Sequence, residues 1–106
     1  MNKISKIKIT VLKGLSRSEV FGEDIPHIID KPGGSDARCG LHTAGQTFIS
    51  IDLQRPEGFC DWAFTDIHKD LVFLAYGNKF NRSGKIQYAA CTDGTNPVIF
   101  KLERME

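Results

Sequence analysis

The chain has 106 residues, 41% of them hydrophobic and 9% aromatic, enough apolar side chain for one core and one domain without disulfide staples. Fourteen lysines and arginines against thirteen aspartates and glutamates give a net charge of +1, which argues against a nucleic acid or other polyanion held by overall charge. No apolar run approaches the roughly 20 residues that span a bilayer, and Met1 to Thr10 lacks the apolar stretch of a signal peptide, so the expected setting is the cytoplasm, with no membrane partner and three reduced cysteines.

Lys6 to Leu12 alternates, with Ile7, Ile9 and Val11 on one face and Lys6, Lys8 and Thr10 on the other, the pattern of a half-buried strand. Lys3, Lys6, Lys8, Lys13 and Arg17 form a local basic excess that reads as a solvated face. Ser16 or Ser18 can cap a short helical turn through Glu19, Val20 and Phe21. Gly22 to Cys39, with Pro26, Pro32, Gly33, Gly34, Ser35 and Asp36, reads as a long surface connection. Thr47 to Leu53 is apolar and β-branched, a second strand, and Arg55-Pro56-Glu57-Gly58 breaks it.

From Trp62 to Tyr76 the period becomes helical: Cys60, Phe64, Ile67, Leu71, Leu74 and Ala75 share a stripe at spacings of three and four. Asp61 or Thr65 is placed to cap the start, and Gly77-Asn78 to stop the end. Asp66 and Asp70, four apart with Lys69 nearby, read as a solvated charged face. Lys79 to Gly84 is a polar turn. Ile86, Tyr88 and Ala90 alternate with Gln87, Ala89 and Cys91 in a third strand, Thr92 to Asn96 carries turn chemistry, and Pro97 to Glu103 is a fourth strand with Val98, Phe100 and Leu102 on one face. The last two strands are expected to pair as a hairpin. The fold class is α+β: a mainly antiparallel sheet of about four strands against one long helix, with a short extra helix, in a single domain over 1–106.

Chemistry-bearing residues concentrate around three cysteines, at 39, 60 and 91. There is no C-x-x-C pair, so neither a thioredoxin-like motif nor a zinc ribbon is indicated. Cys39 and His42 form a Cys-x-x-His step. If the fold brings Cys60 and Cys91 to it, three thiolates and an imidazole make a tetrahedral set suited to zinc. The alternative is three thiols that pack as small hydrophobes. Cys60, just before the long helix, is the best-placed nucleophile, because unpaired N–H groups and the helix dipole there favour a thiolate. Of the three histidines, His68 lies two turns along the helix, and His42 is a better base for Cys60 than His68. Phe59, Trp62 and Tyr88 are candidates to line a small apolar pocket. Gly33-Gly34 lacks the spacing and strand–helix context of a phosphate loop.

Two blocks, Pro56-Glu57-Gly58-Phe59-Cys60-Asp61-Trp62-Ala63 and Cys91-Thr92-Asp93-Gly94-Thr95-Asn96-Pro97-Val98-Ile99-Phe100, resemble a family of small uncharacterised prokaryotic proteins a little shorter than this chain. The family shares a proline-glutamate-glycine-x-cysteine block and a late cysteine, aspartate-glycine block. The likeness extends to Lys6 to Leu12 and to Cys39, Gly45 and Phe48, and skips Gly22 to Ala37. It implies a single small domain and supplies no reaction. The family's late block often begins with two adjacent cysteines, and here the first of those positions is Ala90. A four-thiolate metal set would therefore need His42 or an external ligand in this chain.

The functional expectation is a non-enzymatic protein that assembles with itself or serves as an accessory partner. Two alternatives stand beside it: a metal-binding or thiol-dependent redox protein using Cys39, His42, Cys60 and Cys91, with zinc as the ion, and a ligand-binding module with a pocket at Phe59, Trp62 and Tyr88.

Overall fold

The alternating segment at the start forms β1, Lys6–Gly14, and it lies in the middle of the sheet rather than at its edge. The computed structural model describes residues 5–26, 34–76 and 85–105. After β1 come a one-turn helix α1, Arg17–Phe21, then β2, Thr47–Ser50, the long helix α2, Asp61–Tyr76, and the strands β3, Ile86–Ala90, and β4, Val98–Met105. The four strands make one sheet in the order β2-β1-β4-β3, with every neighbouring pair antiparallel. This is the α+β architecture expected from the periodicities, including the β3–β4 hairpin.

Ile7, Ile9 and Val11 of β1 and Val98, Phe100 and Leu102 of β4 are fully buried on one face of the sheet. Helix α2 covers that face, packing across β3, β4 and β1. Its Ala63, Ile67, Leu71 and Leu74 complete the core together with Phe59. The opposite face carries Lys8 opposite Glu103, Thr10 opposite Lys101, and Tyr88 also beside Lys101. Alternation thus sorts apolar from charged residues about the sheet plane.

Several boundaries differ from expectation, for local reasons. Strand β2 stops at Ser50 rather than Leu53, because Asp52 and Leu53 take left-handed φ values of 53° and 60° and turn the chain back. Ser50 Oγ donates to the Gln54 carbonyl at 2.7 Å and closes that turn. Helix α2 begins at Asp61, with the first helical bond running from Phe64 N–H to the Cys60 carbonyl, so Cys60 takes the capping position expected of Asp61 or Thr65. Asp70 does not sit on a solvated face: it is 5% exposed and accepts from the Gln87 side-chain amide at 3.0 Å. Asp66 is half-buried and takes the Thr92 N–H at 2.7 Å. The stop at Gly77-Asn78, the turn from Lys79 to Gly84, and residues 27–33 of the long connection lie outside the described residues.

Register between β1 and β4 shifts once: Val11 faces Phe100 and Lys13 faces Ile99, so Leu12 is an inserted bulge residue. A bulge bends its strand and re-aims the following side chain. Beyond it, Ser16 caps α1 in a reciprocal capping box with Glu19, each backbone N–H being met by the other's side chain.

Candidate functional site

Three loops meet at one end of the sheet, and each carries a cysteine. The Cys60 loop is set by a tight turn: Phe59 N–H donates to the Pro56 carbonyl, and Gly58 takes φ +82°, a conformation an L side chain resists. Arg55 straddles that turn, donating to the Phe59 carbonyl at 2.6 Å and pairing with Asp61 at 2.6 Å. Cys91 leaves β3, where its N–H donates to the Val98 carbonyl at 3.1 Å and its Sγ accepts the Val98 N–H at 3.2 Å. The loop beyond it is ordered by Asp93 Oδ1, which accepts from Thr95 N–H, Thr95 Oγ1 and Asn96 N–H.

The Cys39 loop is held by the buried side chain of Asn96. Its Nδ2 donates to the Leu15 carbonyl at 3.1 Å and to the Ala37 carbonyl at 2.5 Å, while its Oδ1 faces Arg17 Nε at 3.4 Å. Further along, His42 is 2% exposed and packs its ring against Phe48, Phe59 and Phe100, with centroids 5.4, 4.8 and 6.0 Å away. Nε2 accepts the Cys60 N–H at 3.1 Å and Nδ1 lies 3.1 Å from Gln46 Oε1. The Gln46 oxygen also receives Thr43 N–H, so the network selects the Nδ1–H tautomer.

These anchors bring Cys39, His42, Cys60 and Cys91 onto a single cleft of about 100 Å³, floored by Val98, Phe100 and Ala63, with Asp93 and Asn96 on its wall and Trp62 at its rim. Trp62 is 61% exposed, and its Nε1–H donates to Thr92 Oγ1 at 2.7 Å; Thr92 in turn bonds Asp66. Of the apolar trio, Phe59 belongs to the core behind His42, Trp62 stands at the rim, and Tyr88, 62% exposed, lies on the other face of the sheet. The four thiol and imidazole residues are brought together, and Phe59, Trp62 and Tyr88 are not.

Sharing a cleft is not yet a coordination set. Both ring nitrogens of His42 already have partners, and the Cys91 sulfur accepts a backbone N–H. Among the described residues, no three His, Cys, Asp or Glu side chains stand together so as to hold a metal ion. In this arrangement the residues do not fit a Cys₃His zinc centre.

Two shallower hollows adjoin the cleft. One, of about 300 Å³, shares Cys39 and His42 with it and adds Lys13, Gly14, Arg38, Thr43 and Ala44. Lys13 and Arg38 both pair with Glu19, the latter at 2.7 Å, and Arg38 also donates to the Gly14 carbonyl. Lys13, then the Ser16 N–H, hold the Glu19 carboxyl down at about 2, against the opposing pull of burial. The other hollow, of about 330 Å³, shares Trp62 and adds Asp61, Thr65 and Asp66.

Lys13, Arg38 and Asn96 escaped the sequence reading. Lys13 is one of five basic residues until the bulge at Leu12 re-aims it, and Asn96 is one of several turn formers until the fold turns it inward. No helix among the described residues is long and apolar enough to cross a membrane. Compared with known proteins, the chain matches no family model, no curated protein and no solved structure.

Proposed function

We propose that this protein is a small binding module whose working point is the thiol-lined cleft. The observation that carries the reading is the convergence of Cys39, Cys60 and Cys91, from three separate loops, on one cleft beside Trp62. Sites for metabolite-sized ligands run to roughly 300–1,000 Å³. A cleft of about 100 Å³ suits a single small apolar or sulfur-bearing group, such as one side chain of a partner. Sulfur is polarisable and adapts to such groups better than a hydroxyl in the same place.

Trp62 is the only tryptophan, so its emission reports on the cleft and on the hollow that shares its rim, and blocking the cleft thiols tells the two apart. Dimethyl sulfide and isobutanol, titrated as probes, are expected to change that emission saturably and to raise the melting temperature. At about 100 times its dissociation constant, a probe stabilises the fold by about 2.7 kcal/mol. Protein whose thiols carry S-methylthio groups is expected to lose the response. A response that blocking leaves intact, or none from any probe, overturns the reading.

A second reading, self-association, is supported by β3. This edge strand, Ile86-Gln87-Tyr88-Ala89-Ala90, contains no charge and no proline, the devices that usually keep an edge from pairing with another copy.

A further inference from the structure

The cleft and its two neighbours are in series: the first hollow shares Cys39 and His42 with the cleft, and the cleft shares Trp62 with the second. The ends differ in charge. At the first, Lys13 and Arg38 share the single carboxylate of Glu19, leaving one positive charge in excess. At the second, Asp61 pairs with Arg55, while Asp66 accepts only neutral donors from Thr92 among its described bonds, leaving one negative charge in excess. Trp62, largely exposed between the cleft and the acidic end, offers a ring face to a cation.

We infer that the occupant of this groove is an extended segment of a partner protein, with an acidic side chain over Lys13 and Arg38, a small apolar side chain in the thiol cleft, and a basic side chain against Trp62 and Asp66. The inference rests on the cleft being the binding point and adds the charge pattern of what binds there. Alternate residues of an extended chain point the same way, so on this inference the segment presents its three side chains at positions i, i+2 and i+4. The pattern is therefore acidic-x-small apolar-x-basic. Electrostatic complementarity of this kind sets orientation and partner choice more than raw affinity.

Three capped peptides test it: Glu-Ala-Val-Ala-Arg, Glu-Ala-Val-Ala-Glu and Arg-Ala-Val-Ala-Arg; the first is also made in the reverse order, the other two being palindromic. Binding is read by Trp62 emission and by calorimetry at low salt. The dipolar peptide, in one of its two orders, is expected to bind about tenfold tighter than either like-charged one, an advantage that shrinks as salt rises. Asp61→Lys, at an exposed site, is expected to transfer the preference to the doubly acidic peptide. Lys13→Gln is expected to erase the discrimination against Arg-Ala-Val-Ala-Arg, and circular dichroism confirms that both variants fold. Equal binding of all three peptides with loss on replacing Val by Gly overturns the charge pattern and leaves the cleft reading standing. Charge discrimination that ignores Val→Gly overturns the cleft as the binding point. A groove filled by a second copy, seen as a dimer that persists in Tyr88→Lys and excludes every peptide, overturns the partner segment.

Discussion

His42 shows how much one side chain can organise. Its ring fills a space between Phe48, Phe59 and Phe100, and its Nε2 takes the N–H of the residue that caps α2. Replacing it by phenylalanine keeps the apolar volume and removes the acceptor. An unpartnered buried donor costs about 1–3 kcal/mol, so His42→Phe is expected to lower stability by that amount in urea unfolding. His42→Ala is expected to cost more, because the ring contacts go as well. Glu19 gives a pH signature. Its carboxyl is held near 2 against an ordinary 4.5, so its contribution is fully present above about 4.5 and fades as pH falls toward 2. The melting-temperature gap between the native chain and Glu19→Gln should therefore be widest above pH 4.5 and close toward pH 2. A gap that stays constant with pH would show that the carboxylate's charge is not what matters there.

At the scale of elements, the hairpin loop and α2 are joined by Thr92, which receives Trp62 Nε1–H and donates to Asp66 through both its N–H and its hydroxyl. Thr92→Val keeps the shape and the N–H bond and removes the hydroxyl. The expected loss is about 0.5–1.5 kcal/mol, as for a typical solvent-accessible hydrogen bond, with a red shift in Trp62 emission as the ring loosens into water. The elements themselves were largely legible: the stripe of Ile67, Leu71 and Leu74, the alternation of β1, and the turn chemistry from Asp93 all follow from local periodicity and backbone preference. What was not legible depends on neighbours far along the chain. Asp70 looks solvated until Gln87 comes to face it from β3, and Leu12 looks like an ordinary strand residue until β4 pairs with one residue fewer. The convergence of three cysteines has the same origin. Spacing along the chain named the four candidates, but only the anchoring of three loops by Asn96, His42 and Val98 sets them around one cleft.

At the scale of the molecule, the described residues place a helix on one face of the sheet only. The other face exposes Ile86, Tyr88 and Met105 among charged residues, with β3 at its edge. On the proposed self-association, two copies pair β3 antiparallel to β3 about Tyr88. Light scattering after size exclusion is then expected to give a dimer for the native chain and a monomer for Tyr88→Lys, since an edge lysine discourages strand pairing. A native chain that stays monomeric at high concentration would refute it.

The order β2-β1-β4-β3 places the first and last strands side by side, with Lys6 opposite Met105. Synthesis on a ribosome therefore delivers β1, β2 and α2 before the strand that gives β1 its second neighbour and α2 much of its floor. Until β4 emerges, β1 has only β2 beside it and β3 has no strand to pair with, and pairing across so long a stretch of chain is slow to form. Strand β4 thus acts as the latch of the sheet, joining β1 to β3.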